Sequence, residues 1–143
     1  MGEKMKKNIY VLLIAVLVFS VVFAGCSTPK PTTQEILINL TAKDMAFDKS
    51  TITVPPGTNV KLMFSNLDAG ESHNIAIYET SEAKDSIFVG AIIIGVATTT
   101  YEFNAPTKVG TYFFRCDVHP LMNGQFIVQT GATGSTSGSG SGY

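Results

Sequence analysis

The sequence predicts an all-β fold, a sandwich or barrel of about eight short strands within residues 35–130. Three observations predict it. Apolar and β-branched residues alternate with polar ones in short runs from Ile36 to Gln129, the period of a strand with one buried face. Gly, Pro, Asn and Asp clusters stand between the runs and mark turns. No window keeps a helical apolar period, and many short strands closed by turns indicate a sandwich or barrel.

The runs follow in order. Ile36–Leu40 is the first, and Thr51–Val54 the second, closed by Pro55-Pro56-Gly57. Thr58–Phe64 places Val60, Leu62 and Phe64 on one face. His73–Glu79 alternates, with His73, Ile75 and Ile77 on one side. Ile87–Val96 is apolar and interrupted by Gly90 and Gly95, and Thr98–Phe103 alternates through Tyr101 and Phe103. Thr111–Arg115 and Gln125–Gln129 are the last two, separated by a segment rich in turn residues, with Pro120, Asn123 and Gly124.

The two ends differ in character from this middle. Met1–Asn8 carries Lys4, Lys6 and Lys7, and Ile9–Ala24 is a 16-residue apolar run broken only by Ser20, short of the roughly 20 residues that span a bilayer. With Phe23-Ala24-Gly25-Cys26 at its end, the segment 1–25 reads as a signal peptide. Cys26 at the junction resembles the lipidated cysteine of a lipobox, although Phe23 stands where that motif usually has Leu. An uncleaved signal anchor is the alternative. Both readings export the domain and hold it at the periplasmic or extracellular face of a membrane. Residues 26–34 are polar and proline-containing, an extended tether. Residues 131–143 are Gly, Ser, Thr and Ala closed by Tyr143, a composition that builds no core and is expected to be disordered.

Charge narrows the function. The chain has a net charge of −1, but residues 35–130 hold six cationic and ten acidic side chains, a net of −4. That is not the basic footprint of a nucleic-acid binder. A basic face on a protein partner would suit it better.

Chemistry concentrates between Gly110 and Gly124, where Cys116, His119 and Met122 stand at C-x-x-H-x-x-M spacing. A soft thiolate, an imidazole and a weak thioether suit copper, which alternates between soft Cu(I) and harder Cu(II). A second imidazole would complete a two-His, one-Cys set with a long axial Met, and His73 is the only other histidine in the chain. Each residue has a plainer reading. Cys116 could be a buried thiol or pair with Cys26, His119 an ordinary loop histidine, Met122 core filler, and His73 a satisfied core histidine. An unpaired thiol outside the cytoplasm is exposed to oxidation, however, and a metal would account for keeping one.

The Gly110–Gly124 segment resembles the ligand loop of the cupredoxins, the small blue copper proteins, with the short spacing of the amicyanin type. Asp44-Met45-Ala46-Phe47, Ile52-Thr53-Val54-Pro55-Pro56-Gly57, Asn66 and His73-Asn74 stand in the order seen in that family, so the resemblance covers roughly residues 36–129. It implies a Greek-key β-sandwich and one type 1 copper ion. It implies His73, Cys116 and His119 as equatorial ligands and Met122 as the axial one. Asn74 would tie the His73 strand to the ligand loop, and His119 with Pro120 and Leu121 would form an apolar patch for a transient redox partner. The implied protein is a monomeric electron carrier with no enzymatic activity. The segment Thr80–Thr99 is longer than a minimal layout of this kind needs.

Rival classes fare worse. A dinuclear copper centre needs two loop cysteines, and this loop has only Cys116. Multicopper oxidases and copper nitrite reductases need histidines beyond the two present. Zinc accepts Cys and His, but Met122 is a poor zinc ligand. A copper-binding or delivery protein without obligate redox turnover is the main alternative, and a metal-free interaction domain a weaker one.

Overall fold

The structure, a computed structural model, describes residues 35–138. The expected signal peptide 1–25, the Cys26 junction, the tether 26–34 and the last five residues of the tail lie outside the described residues. Twelve strands follow one another: β1 (Glu35–Lys43), β2 (Ala46–Phe47), β3 (Lys49–Val54), β4 (Asn59–Asn66), β5 (Ser72–His73), β6 (Ala76–Tyr78), β7 (Ser86–Val89), β8 (Ile93–Ile94), β9 (Ala97–Asn104), β10 (Gly110–Arg115), β11 (Asn123–Val128) and β12 (Ser135–Gly138). There is no helix among the described residues.

Alternation sets the faces. In β1, Ile36, Ile38, Leu40 and Ala42 point inward and Glu35, Leu37 and Asn39 outward. In β4, Val60, Leu62, Phe64 and Asn66 are all buried. One sheet has the order β2-β1-β4-β9 and the other β12-β3-β11-β10-β6-β7, with a small third sheet of β5 and β8. The pairs β1–β4 and β3–β11 are parallel among otherwise antiparallel neighbours. Such pairs require the chain to cross between sheets, and the result is a Greek-key-like β-sandwich. Phe64, Phe114 and Phe126 fill its centre, each fully buried. Truncating any of them to Ala would cost about 3–5 kcal/mol.

The structure departs from the sequence reading in three places. His73–Glu79 is not one strand but β5 and β6, split at Asn74-Ile75. There the Asn74 side chain turns to the ligand loop, and Gly90 N–H donates to the Ile75 carbonyl at 2.9 Å. Ile87–Val96 likewise divides into β7 and β8 at Gly90. A Cβ on Gly90 would lie 2.9 Å from both the Ile75 carbonyl and the Tyr101 ring, so only glycine lets the chain cross here. The tail is not disordered from Gly131, because Ser135–Gly138 pair antiparallel with β3. Strand pairing uses backbone groups alone, so the free edge of β3 can recruit a segment with no apolar side chains. The extra length of Thr80–Thr99 is used to wrap β5 and β6. Its β7 pairs with β6 and its β8 with β5.

Candidate metal centre

Cys116 through Met122 join β10 to β11 at one end of the sandwich. The loop is closed on itself. Cys116 N–H donates to the Met122 carbonyl and Met122 N–H to the His119 carbonyl, both at 2.9 Å. The Asn123 side chain donates to the carbonyls of Pro120 and Leu121 at 3.1 Å each. Pro120 adds a fixed φ. A short loop with its own backbone bonded in this way has little freedom to move its side chains.

His73 approaches from the other side on β5. The strand is placed by Asn66, a fully buried amide at the end of β4. Its Nδ2 donates to the carbonyls of Glu71 and Ile93 at 2.8 and 3.0 Å, and its Oδ1 accepts from Asp68 N–H at 3.0 Å. One side chain therefore fixes both ends of the loop that carries Asp68 and leads to His73. Gly95 completes the wall. A Cβ there would fall 2.2 Å from the Asp68 carbonyl, so no larger residue allows this approach.

The two segments bring three donor atoms together. Cys116 Sγ lies 3.7 Å from His73 Nδ1 and 4.0 Å from His119 Nδ1, and the two nitrogens are 3.1 Å apart. Cys116 and His73 are fully buried, while His119 is half-buried. The point equidistant from the three atoms lies in their plane, about 2.1 Å from each, against the roughly 2.0–2.3 Å that zinc, a comparable first-row ion, keeps to nitrogen and sulfur donors. Three donors at this spacing reach one first-row ion, and a thiolate, two imidazoles and a nearby thioether are the donor types that suit copper, whereas structural zinc is closed by Cys and His alone. Met122 is buried beside this cluster at the closing bond of the loop. The donor set therefore fits copper.

Around the donors the hydrogen bonds are complete, and among the described residues no buried side-chain N or O lacks a partner. Asn74 Oδ1 accepts from Asp117 N–H at 2.8 Å and its Nδ2 donates to the Gly90 carbonyl at 3.0 Å, joining the His73 strand, the β7–β8 turn and the ligand loop. Asp117 also accepts from Tyr78 Oη at 2.8 Å and from Arg115 Nε at 3.0 Å, while the Arg115 guanidinium sits 5.1 Å from the Tyr78 ring centre. Burial, together with the Asp117 carboxylate, raises the Tyr78 phenol. Tyr101, buried near Cys116, is pushed up to about 12, chiefly by burial and then by negative charge at the Cys116 sulfur.

Two contributors escaped the sequence reading. Asp68 Oδ2 accepts from His73 Nε2 at 2.9 Å. Burial would raise this carboxyl, but the N–H groups of Met45 and Asp44 and the His73 ring outweigh it and hold it below the ordinary carboxylate range. The available signal was an acidic residue in the loop before His73. The second is Met45. With Val118, His119, Pro120, Leu121 and Met122 it lines an apolar depression over the site. Leu121 is 96% exposed, so the patch is a surface feature. Asp44 and Met45 both have positive φ, 54° and 59°, as the two-residue turn between β1 and β2 requires.

A family model described as "Cupredoxin-like domain" matches residues 13–128, beginning well before the expected domain start at 35. Auracyanin-A of Chloroflexus aurantiacus is 27% identical in an alignment covering 87% of this chain and 99% of that protein. The solved structure of auracyanin A, described as a "blue" copper protein from that bacterium, superposes with a TM-score of 0.61 at 25% identity, covering 67% of this chain and all of the other. Auracyanin from Roseiflexus castenholzii gives a TM-score of 0.59 at 23% identity, covering 67% of this chain and 98% of the other, a likeness of fold. His73, Cys116, His119 and Met122 make the donor pattern of a type 1 copper site. With the match spanning most of its length, the chain belongs to the cupredoxin-like domain family.

Proposed function

We propose that the protein is a blue copper electron carrier. His73, Cys116 and His119 are the equatorial ligands of one copper ion and Met122 is the axial one. The observation that carries this reading is the triangle of Cys116 Sγ, His73 Nδ1 and His119 Nδ1, with edges of 3.7, 4.0 and 3.1 Å. When bound, copper supplies a one-electron couple. The chain's own residues hold the donors still and keep water from Cys116 and His73. With Met122 as the fourth, weak donor, the set would offer a substrate no strong-ligand position, and bond-making chemistry is disfavoured. His119 lies between the buried donors and the apolar depression around Pro120 and Leu121, and electrons pass to and from a redox protein there. Contacts through a patch of this kind are small and transient. The domain works as a monomer outside the cytoplasm, tethered to the membrane through residues 26–34 and a lipid on Cys26.

A visible spectrum with a copper assay tests the reading. One copper per chain and an intense blue absorption are expected in the oxidised protein. Cys116→Ser should bind without that colour. A wild-type protein that stays colourless with copper bound, or a serine variant that stays blue, refutes the assignment. Met122→Leu should keep the colour and raise the reduction potential. Loss of all copper binding in that variant would show that the axial role is wrong. Reversible voltammetry with copper retained separates a carrier from a copper donor, which would release its metal.

A further inference from the structure

We propose that Asp68 is a positioning residue for the metal ligand His73, and that its carboxylate favours the oxidised over the reduced state of the site. The inference rests on the copper reading above but concerns a residue outside the ligand set. The His73 ring is fully buried and offers Nδ1 to the donor triangle. Its other nitrogen, Nε2, is 2.9 Å from Asp68 Oδ2. A carboxylate cannot donate, so Nε2 carries the proton, and Nδ1 is left with a lone pair facing Cys116 and His119. Outer hydrogen bonds of this kind fix the ring's tautomer and orientation and make the ligand more basic.

Asp68 is itself held. Its Oδ1 accepts from Asp44 N–H at 2.6 Å and its Oδ2 from Met45 N–H at 3.1 Å. Both donors belong to the turn with positive φ, and successive N–H groups aimed at one point suit a negative charge. The Asp68 backbone N–H is taken by Asn66 Oδ1 at 3.0 Å. The carboxylate thus bridges the β1–β2 turn and the β4–β5 loop, and His73 is the ring it presses towards Cys116. A negative charge behind His73 stabilises the more positive Cu(II) state more than Cu(I).

Asp68→Asn keeps the size and an acceptor oxygen while removing the charge. Copper(II) affinity should fall about 10–100-fold, the usual effect of losing such a partner. Copper(I) affinity should fall less, and each tenfold difference raises the reduction potential by about 59 mV. The blue colour should persist, and Asp68→Glu should recover part of the potential. A folded Asp68→Asn protein with unchanged potential and copper(II) affinity overturns the proposal. The wild-type protein without metal gives a readout that depends on neither copper nor a variant. Its His73 nitrogens, observed by nitrogen NMR at a pH where the ring is neutral, should show the proton on Nε2, and a neutral ring with its proton on Nδ1 overturns the proposal. If the wild type fails to turn blue with copper, the functional reading falls and the tautomer still decides the role of Asp68.

Discussion

Asn74→Ala should loosen the joint between the two halves of the site. Asn74 is 1% exposed and makes two well-formed bonds, from Asp117 N–H at 2.8 Å and to the Gly90 carbonyl at 3.0 Å. A third contact, to the Asp117 carboxylate at 3.5 Å, is too long to count for much. Alanine leaves Asp117 N–H and the Gly90 carbonyl without partners, and each orphaned group costs about 1–3 kcal/mol when water cannot reach it. Asp117 is only half-buried, so the combined loss should be about 2–4 kcal/mol, a large share of the 5–15 kcal/mol that usually holds a domain together. Urea unfolding of the metal-free protein should show the midpoint falling by about 1–2 M, with the slope unchanged. Asn74→Asp sharpens the test. It keeps the acceptor for Asp117 N–H but turns an oxygen towards the Gly90 carbonyl and the Asp117 carboxylate. It should therefore be no more stable than the alanine variant. An alanine variant within about 0.5 kcal/mol of wild type, the usual scatter for an uninvolved surface position, or an aspartate variant matching wild type, would refute the joint.

Two further outcomes are expected. Gly124→Ala places a Cβ 2.5 Å from the Phe114 ring and 2.5 Å from the Ser50 carbonyl. A backbone oxygen cannot step aside cheaply, so thermal unfolding should report a loss of about 1–3 kcal/mol or more. Tyr101, raised to about 12 by burial, holds its proton more tightly folded than unfolded. The stability it contributes is whole below the unfolded value near 10 and is lost as pH rises from there towards 12. Tyr101→Phe should flatten that alkaline decline, measured as denaturation midpoint against pH, and an unchanged slope would contradict the account.

Much of the site was legible because it is local. Cys116, His119 and Met122 lie within seven consecutive residues, and a hairpin loop keeps such residues together whatever the rest of the fold does. His73 was legible by scarcity, since the chain has only one other histidine. The alternation in β1, β4 and β9 was legible for the same reason that these strands are regular: one face is buried and the other is not. What could not be read depends on groups distant in sequence. Asp68 and Met45 become visible only when the β1–β2 turn folds against the loop after β4. The division of His73–Glu79 follows from a side-chain amide bonding a loop 43 residues away, which periodicity cannot register. The pairing of β12 with β3 joins a segment of Ser, Thr and Gly to a sheet edge, so composition carried no trace of it.

The donors share one design feature that bears on electron transfer. Each is fixed through groups other than its donor atom. His73 is gripped at Nε2 by Asp68. Cys116 is fixed by its backbone bond to Met122, and His119 lies in the same self-bonded loop. The loop is in turn tied to the His73 strand through Asn74 and Asp117. None of these bonds uses a donor lone pair, so none has to change when a bound ion gains or loses an electron. Interiors packed to crystal density resist such displacement further. A cage set by its outer bonds would impose one compromise geometry on both valences of a bound copper ion, and the barrier to exchanging an electron would be low for that reason. By the same logic Asp68 and Asn74, which touch no electron, should govern the rate as well as the stability of the centre.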